Sequence, residues 1–392
     1  MSTARLRITV WATTLGADLA TLCRFLDSRD DVDLTVFMRD PGAYKRQAAW
    51  HAHPLRSPVF GRNPLAYPRA IARGADVTIV DNAVPLLKTS RTLFVLWHGF
   101  GWKGPDDRDA FAFMRRCITR WWGDPTRPNP RVCWQCFGEW DRRFRHQVSG
   151  FSDQILRVLG SAFHDDIVRP LDRERMQAFY PFDIVNRRTV LLAPTWHYNG
   201  VFAHWGPEPE VFEPLMNLLE RHAVNLILRM HDRWRYERRV LEQIGRLGRR
   251  YPHMLVKFKN EDQDNTIDLR LADLLITNFS SIANCFYATG RPTIHVYPVS
   301  DADQPFELRQ VWGGLVRRKR VANVRAMWKL PPEENGGLVS ASLAEFLSHV
   351  ELALNDPGCC RERSRRFIDT YMLGADGRNC ERIFEALQAL AR

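Results

Sequence analysis

Histidine, serine, arginine and lysine can carry acid–base and phosphate chemistry, and here they gather in four short clusters. These are Trp97-His98-Gly99, Pro194-Thr195-Trp196-His197, Arg229-Met230-His231 and Thr277-Asn278-Phe279-Ser280-Ser281. Each directly follows an apolar run. A neutral imidazole such as that of His98 can accept a proton from a hydroxyl nucleophile at neutral pH. Ser280 and Ser281 are placed to open a helix, where hydroxyls satisfy orphan N–H groups and the remaining donors can hold a phosphate. Arg229 and His231 could both line a cleft only if the backbone turns at Met230; His231 could then donate to a phosphate oxygen. Lys103, five residues after His98, is one of only seven lysines in an arginine-dominated chain. His197 and His204 are further candidates, although Trp196–Gly200 also reads as an aromatic turn. Against each stands a plainer interpretation: a hydrogen-bonded structural histidine, a surface lysine, a helix cap with no ligand. The Asp165-Asp166 pair is expected to be a solvated turn.

The elements that must position these clusters alternate between strands and helices. Arg7–Trp11, Asp33–Phe37, Ala75–Val80 and Thr92–Trp97 read as strands, with helices over Ala17–Leu26 and Pro64–Arg73. A second alternating set begins near Arg188. It has strands at Val190–Ala193, Asn225–Arg229, Met254–Lys257, Asp273–Thr277 and Thr293–Tyr297. Helices are expected over Val211–Ala223, Arg235–Arg250, Ser281–Thr289, Ala341–Leu354, Cys359–Tyr371 and Asn379–Ala391. Strands separated by helices imply parallel sheets, an α/β class. Ligands of such sheets bind outside the carboxyl ends of the strands, where all four clusters fall. The spacing thus describes a cleft between two Rossmann-like domains, 1–175 and 186–370. A last segment, 371–392, is expected to pack back on the first domain. No GxGxxG follows the first strand, so the dinucleotide fingerprint is absent.

Composition narrows the classes. At 392 residues, with 45% apolar and 26% charged residues, the chain can bury its own core, and disorder or a disulfide scaffold is excluded. Lys+Arg total 56 against 45 Asp+Glu, a net charge of +11 that allows nucleic acid, an anionic membrane face or a phosphorylated substrate. No apolar run is long enough to span a bilayer, and the N-terminus lacks a signal-peptide core. Cys133 and Cys136 form one CxxC without a partner motif, which favours paired semi-buried thiols over zinc. Residues 108–120 pattern as an amphipathic helix, with Phe113, Met114, Cys117, Ile118 and Trp121 on one face and arginines on the other. It either packs on its own domain or lies on an anionic membrane.

Taken together the clusters resemble the CDP-glycerol glycerophosphotransferases that build teichoic acids. Trp97-His98-Gly99 with Lys103 is similar to their WHG-x-x-x-K segment, Pro194-Thr195-Trp196 to their PTW, and Leu228–His231 to their histidine-bearing strand end. Asp273–Ser281 resembles D-x-x-I-T-D-Y-S-S, Arg291–Ile294 the following K-P-I-I, and Gly160-Ser161 to Asp165 or Asp166 a G-S-P-x-x-D turn. Asp376-Gly377 before the last helix also fits. The order holds from about 92 to 387. Asn278, Phe279, Asn284-Cys285, Asp232 and His197 depart from the family pattern.

The resemblance implies a GT-B architecture with an acceptor-side first domain and a nucleotide-side second domain. It implies transfer of glycerol phosphate, or a similar polyol phosphate, from a CDP-activated donor to a hydroxyl of a lipid-linked or glycan acceptor. His98 and His231 would be catalytic. Thr195, Arg229, Thr277, Asn278, Ser280 and Ser281 would bind the donor, with Gly99, Lys103 and His197 also in the cleft. No metal and no cofactor are called for, nucleic acid is not an expected partner, and the setting would be the cytoplasmic face of the membrane. A GT-B glycosyltransferase using a nucleotide sugar is the alternative, and a charge-driven binding module a third.

Overall fold

Strands buried on both faces carry near-continuous Val, Ile and Leu runs, and two sets of them organise this chain. The computed structural model describes residues 5–81, 83–97, 99–101, 111–194, 205, 208–236, 238–278, 280–296, 304–312, 315–324 and 330–392. The first sheet contains β1 (Leu6–Trp11), β2 (Val32–Met38), β3 (Val59–Gly61), β4 (Ala75–Val80), β5 (Ser90–Val95), β6 (Val132–Cys136) and β7 (Leu156–Val158). Its spatial order is β3-β2-β1-β4-β5-β6-β7, parallel throughout. The second contains β8 (Thr189–Leu192), β9 (Asn225–Met230), β10 (Met254–Phe258), β11 (Leu274–Thr277) and β12 (Thr293–Val296). After the antiparallel hairpin β13 (Gln304–Trp312) and β14 (Leu315–Val324), it is completed by β15 (Leu338–Ser340). Its order is β10-β9-β8-β11-β12-β15, again parallel.

Helices cover both faces of each sheet. On one face of the first, Ala17–Asp27 and Asn379–Ala391 pack over Ile8, Val10, Val77 and Phe94. On the other, Ala66–Arg73 and Ala112–Trp122 pack over Trp11, Val80, Leu93 and Trp134. A third apolar cluster joins the two sheets, setting Ala48, Phe137 and Phe163 against Leu191, Phe286, Tyr287 and Phe367.

Several expectations change. A strand that the sequence reading does not place, β6, holds both cysteines of the CxxC. Side chains three apart on a strand face opposite ways, and Cys133 and Cys136 enter different core clusters. They cannot share a metal, and burial pushes the Cys133 thiol up to about 12. All eight cysteines are free thiols, and among the described residues no group of three His, Cys, Asp or Glu side chains could hold a metal ion.

Asp165 and Asp166 are buried rather than solvated. Asp165 accepts from Asn379 N, Asn379 Nδ2 and Cys380 N at 3.1, 3.0 and 2.7 Å, closing the start of the last helix. Asp166 lies 2.8 Å from Arg24 Nη2 and 3.5 Å from Arg270 Nη1. Arg24 also approaches Asp264 at 3.8 Å, and Tyr44 donates to Asp264 at 3.3 Å. The two sheets are therefore bridged by buried charge as well as by apolar packing.

Candidate active site

Each sheet reverses its strand order at one place: between β1 and β4 in the first, and between β8 and β11 in the second. At such a reversal the flanking crossovers run to opposite faces and leave a crevice at the carboxyl ends. The described residues of three sequence clusters, Pro194, Arg229–His231, and Thr277, Asn278, Ser280 and Ser281, lie at the ends of the neighbouring strands β8, β9 and β11. His98, Lys103, Thr195 and His197 lie outside the described residues.

The chain on either side of His98 is firmly held. Trp97 is buried against Phe111 and Trp134, with ring centroids 5.9 and 5.3 Å apart. Gly99 O accepts from Arg145 Nη2 at 3.0 Å, and Gly101 N donates to Asp141 Oδ1 at 2.9 Å. Asp141 and Arg145 are four apart on the helix Glu139–Ser149, pair at 2.8 Å and are both buried. Asp141 also accepts from Phe137 N, and Arg145 donates to Gln135 O. One ion pair thus fixes the end of β5 to the end of β6.

The two halves meet at this point. A Cβ on Gly99 would lie 2.6 Å from Ser281 Oγ and 3.2 Å from Ser281 Cβ. The segment after β5 is therefore in contact with the segment after β11, bringing two of the four clusters together.

In the second sheet, Thr277 Oγ1 donates to Ala193 O at 2.6 Å, tying the ends of β11 and β8. The Asn278 carbonyl lies 2.5 Å from Nδ1 of buried His295. A carbonyl only accepts, so Nδ1 carries the proton and Nε2 accepts from the Tyr287 hydroxyl at 2.6 Å. Burial lowers His295 to about 4, which keeps the ring neutral. Gly336 and Gly337 sit against the Tyr287 and His295 rings where a side chain would collide. Tyr287 and His295 together hold the backbone at Asn278.

The helix after this turn is shorter than Ser281–Thr289. It runs Ile282–Phe286 and continues as a single 3-10 turn, Tyr287–Thr289. Ser281 occupies the cap position, but its hydroxyl makes no capping bond. So short a helix carries little dipole, and phosphate affinity here would rest on the hydroxyls of Ser280 and Ser281.

His231 follows β9; its Nδ1 accepts from Asp232 N at 2.8 Å, with Asp232 Oδ2 2.9 Å away, and its backbone N donates to Tyr236 OH at 2.9 Å. An Nδ1 that accepts leaves Nε2 to carry the proton of the neutral ring. Arg229 is a different matter. It is buried, with Nη1 2.7 Å from Asp268 Oδ2 and Nη2 donating to Asp262 O at 2.5 Å. Lys257 Nζ and Tyr180 OH also reach Asp268, at 2.8 and 2.7 Å. Burial pushes Asp268 up, but Lys257 and Arg229 outweigh it and hold the carboxyl below the usual range. The expected phosphate contact of Arg229 is thus replaced by an internal carboxylate cluster, which its charge neutralises.

Sequence reasoning passed over Asp81, whose carboxylate accepts from Thr13 N and Thr14 N at 2.8 and 3.1 Å at the reversal point of the first sheet. It also passed over Asp141, Arg145, His295 and Asp268. The signal for the Asp141–Arg145 pair was an i, i+4 opposite-charge spacing on a helix directly after a strand, which surface pairs share.

No family model matches the chain, and no curated protein matches it. Solved structures do. The wall teichoic acid polymerase TagF superposes with a TM-score of 0.67 at 13% identity, covering 97% of this chain and 88% of that one. A TagF variant soaked with CDPG gives the same score and identity. Anabaena Alr3699/HepE in complex with UDP and glucose gives 0.53 at 12% identity, over 98% of this chain and 100% of that one. UDP-GlcNAc 2-epimerase from Neisseria meningitidis, bound to UDP-GlcNAc, gives 0.55 at 11% identity, over 97% and 99%. The fold is therefore GT-B, as the resemblance implied.

Proposed function

We propose that the chain transfers glycerol phosphate, or a similar polyol phosphate, from a CDP-activated donor to a hydroxyl on a lipid-linked or glycan acceptor. It would work at the inner face of the membrane in cell-surface polymer synthesis. The observation that carries this reading is the contact of Gly99 with Ser281. It sets the segment bearing the candidate base beside the segment bearing the candidate phosphate ligands. The acceptor oxygen attacks the distal phosphorus of the donor. The bond from that phosphorus to the bridging oxygen breaks, CMP leaves, and the acceptor proton passes to His98.

Ser280 and Ser281 bind the pyrophosphate through their hydroxyls; Asn278 and Thr195 border it. His231, oriented by Asp232, donates to the leaving phosphate. Arg229 and Thr277 act one step back, by fixing the strand ends. Lys103 and His197 remain cleft candidates in this scheme.

The test is release of CMP from CDP-glycerol and CDP-ribitol, against UDP or CMP from common nucleotide sugars. His98→Ala should lower CMP release by about 10²–10⁴-fold; near-normal turnover removes His98 from the role. Turnover is expected to survive EDTA, and collapse restored by magnesium would reject the metal-free scheme. The nucleotide-sugar alternative is kept because HepE and the epimerase share the fold. Release of UDP with no CMP would establish it.

A further inference from the structure

Nine large apolar side chains stand out as exposed among the described residues, and five of them fall in three segments of one neighbourhood: Leu65, Ile71, Leu86, Leu87 and Phe113. The segments are 61–75, 83–91 and 111–123, and none contains an Asp or Glu. They are joined in space. The Leu86 amide donates to Tyr67 OH at 3.0 Å, and Trp121 Nε1 donates to Leu86 O at 2.8 Å. The loop Leu86-Leu87 is therefore pinned between the helices Ala66–Arg73 and Ala112–Trp122, which share one face of the first sheet. Phe113, on the apolar side of the expected amphipathic helix, is 60% exposed, and Leu86 is 59% exposed. The helix buries Met114, Ile118 and Trp122 instead.

Cations surround this apolar patch. Arg69, Lys88, Arg91, Arg116 and Arg120 are exposed, and Arg120 lies over the Trp121 ring at 4.8 Å. A shallow groove along the same helix is lined by three arginines, Arg115, Arg116 and Arg120, against one acid, Asp124. Leucines and a phenylalanine that can enter acyl chains, Tyr and Trp at the polar boundary, and cations at headgroup level describe an interfacial membrane surface. A second copy of the chain fits poorly, because an isologous contact would set this cation-rich surface against itself. A nucleic acid would use the cations but give the exposed leucines no partner.

We propose that this face, built from the loop Leu86-Leu87 and the outer sides of the helices Ala66–Arg73 and Ala112–Trp122, docks the protein onto an anionic lipid bilayer. The proposal identifies the surface for the membrane setting given above, but stands on exposed chemistry and not on donor choice. Vesicle binding without CMP release would overturn the donor reading alone.

The full chain is mixed with vesicles of phosphatidylcholine, alone or with phosphatidylglycerol, and bound protein is measured by co-sedimentation across a salt series. Binding is expected only to the anionic vesicles and should weaken as salt rises. Leu86→Ser/Leu87→Ser/Phe113→Ser should weaken it about tenfold or more. Arg116→Glu/Arg120→Glu should weaken it by at least about 25-fold, at roughly fivefold per cation near an anionic surface. Both variants should keep the wild-type unfolding midpoint. Unchanged vesicle binding by either variant overturns the proposal, as does equal binding to neutral vesicles. A dimer in solution that the leucine variant converts to monomer assigns the face to a second copy and overturns it as well.

Discussion

Gly99 is the residue on which the two halves of the cleft close. Gly99→Ala would press a methyl group against Ser281 Oγ and Cβ. A serine hydroxyl can rotate away, but its Cβ cannot. The expected cost is about 1–2 kcal/mol in denaturant unfolding, with a larger loss in turnover than in donor binding. Gly138 offers the contrast: a Cβ there would meet the backbone carbonyl of Tyr371, which cannot move aside alone. Gly138→Ala should destabilise by about 3 kcal/mol or more.

His295 gives a prediction in pH. Its folded value of about 4 lies below the ordinary 6.5, so protons bind the unfolded chain first. Its contribution is full above pH 6.5 and is lost as pH falls to 4, by about 3 kcal/mol. His295→Gln should flatten that part of the stability profile, measured by urea titration at a series of pH values. None of this could be read from the residue type. His295 sits mid-strand in an apolar run, and only the approach of Asn278 and Tyr287 gives it a function.

At the scale of elements, the last helix is held by one carboxylate. Asp165 takes three donors from Asn379 and Cys380. Asp165→Ala would strand those groups in a buried site and cost about 2–3 kcal/mol. Amide exchange in Asn379–Ala391 should accelerate before exchange in β4 and β5, which that helix covers. Equal acceleration in helix and strands would show that the helix is not a separate unit.

The strands were legible because buried parallel strands are runs of branched apolar residues, and Ala75–Val80 was read to the residue. β6 was missed because Val132 and Trp134 favour a strand but stand among two cysteines and a glutamine, too short an apolar run to read. The helix after Ser281 came out short because the chain must turn at Gly290, which sits at φ 65, into the buried strand β12.

At the scale of the molecule, the charge network between the sheets decides how the cleft is held. Arg24, Asp166, Asp264 and Arg270 are buried where the halves meet. Asp166→Ala would leave two guanidinium groups without their shared carboxylate. Breaking a buried pair on one side costs about 3–5 kcal/mol, and the cooperative unfolding midpoint should fall accordingly. If the midpoint holds and only turnover changes, the network sets cleft geometry and not stability.

The sequence by itself determined the α/β class, the two strand sets and the polar clusters at strand ends, because these depend on local periodicity and on residue chemistry at fixed spacing. Tertiary structure alone decided which polar residues face the cleft and which serve the fold. Arg229 and Thr277 were read as ligands, yet Asp262, Asp268 and Ala193 claim them. Asp165 and Asp166 were read as solvated, yet they close a helix and bridge the sheets. The +11 charge behaves likewise: buried arginines pair with carboxylates, and those around Leu86 stand exposed. The reason is common to all three. A charged group's role depends on what distant chain segments bring within hydrogen-bond reach, and one-dimensional spacing does not carry that distance.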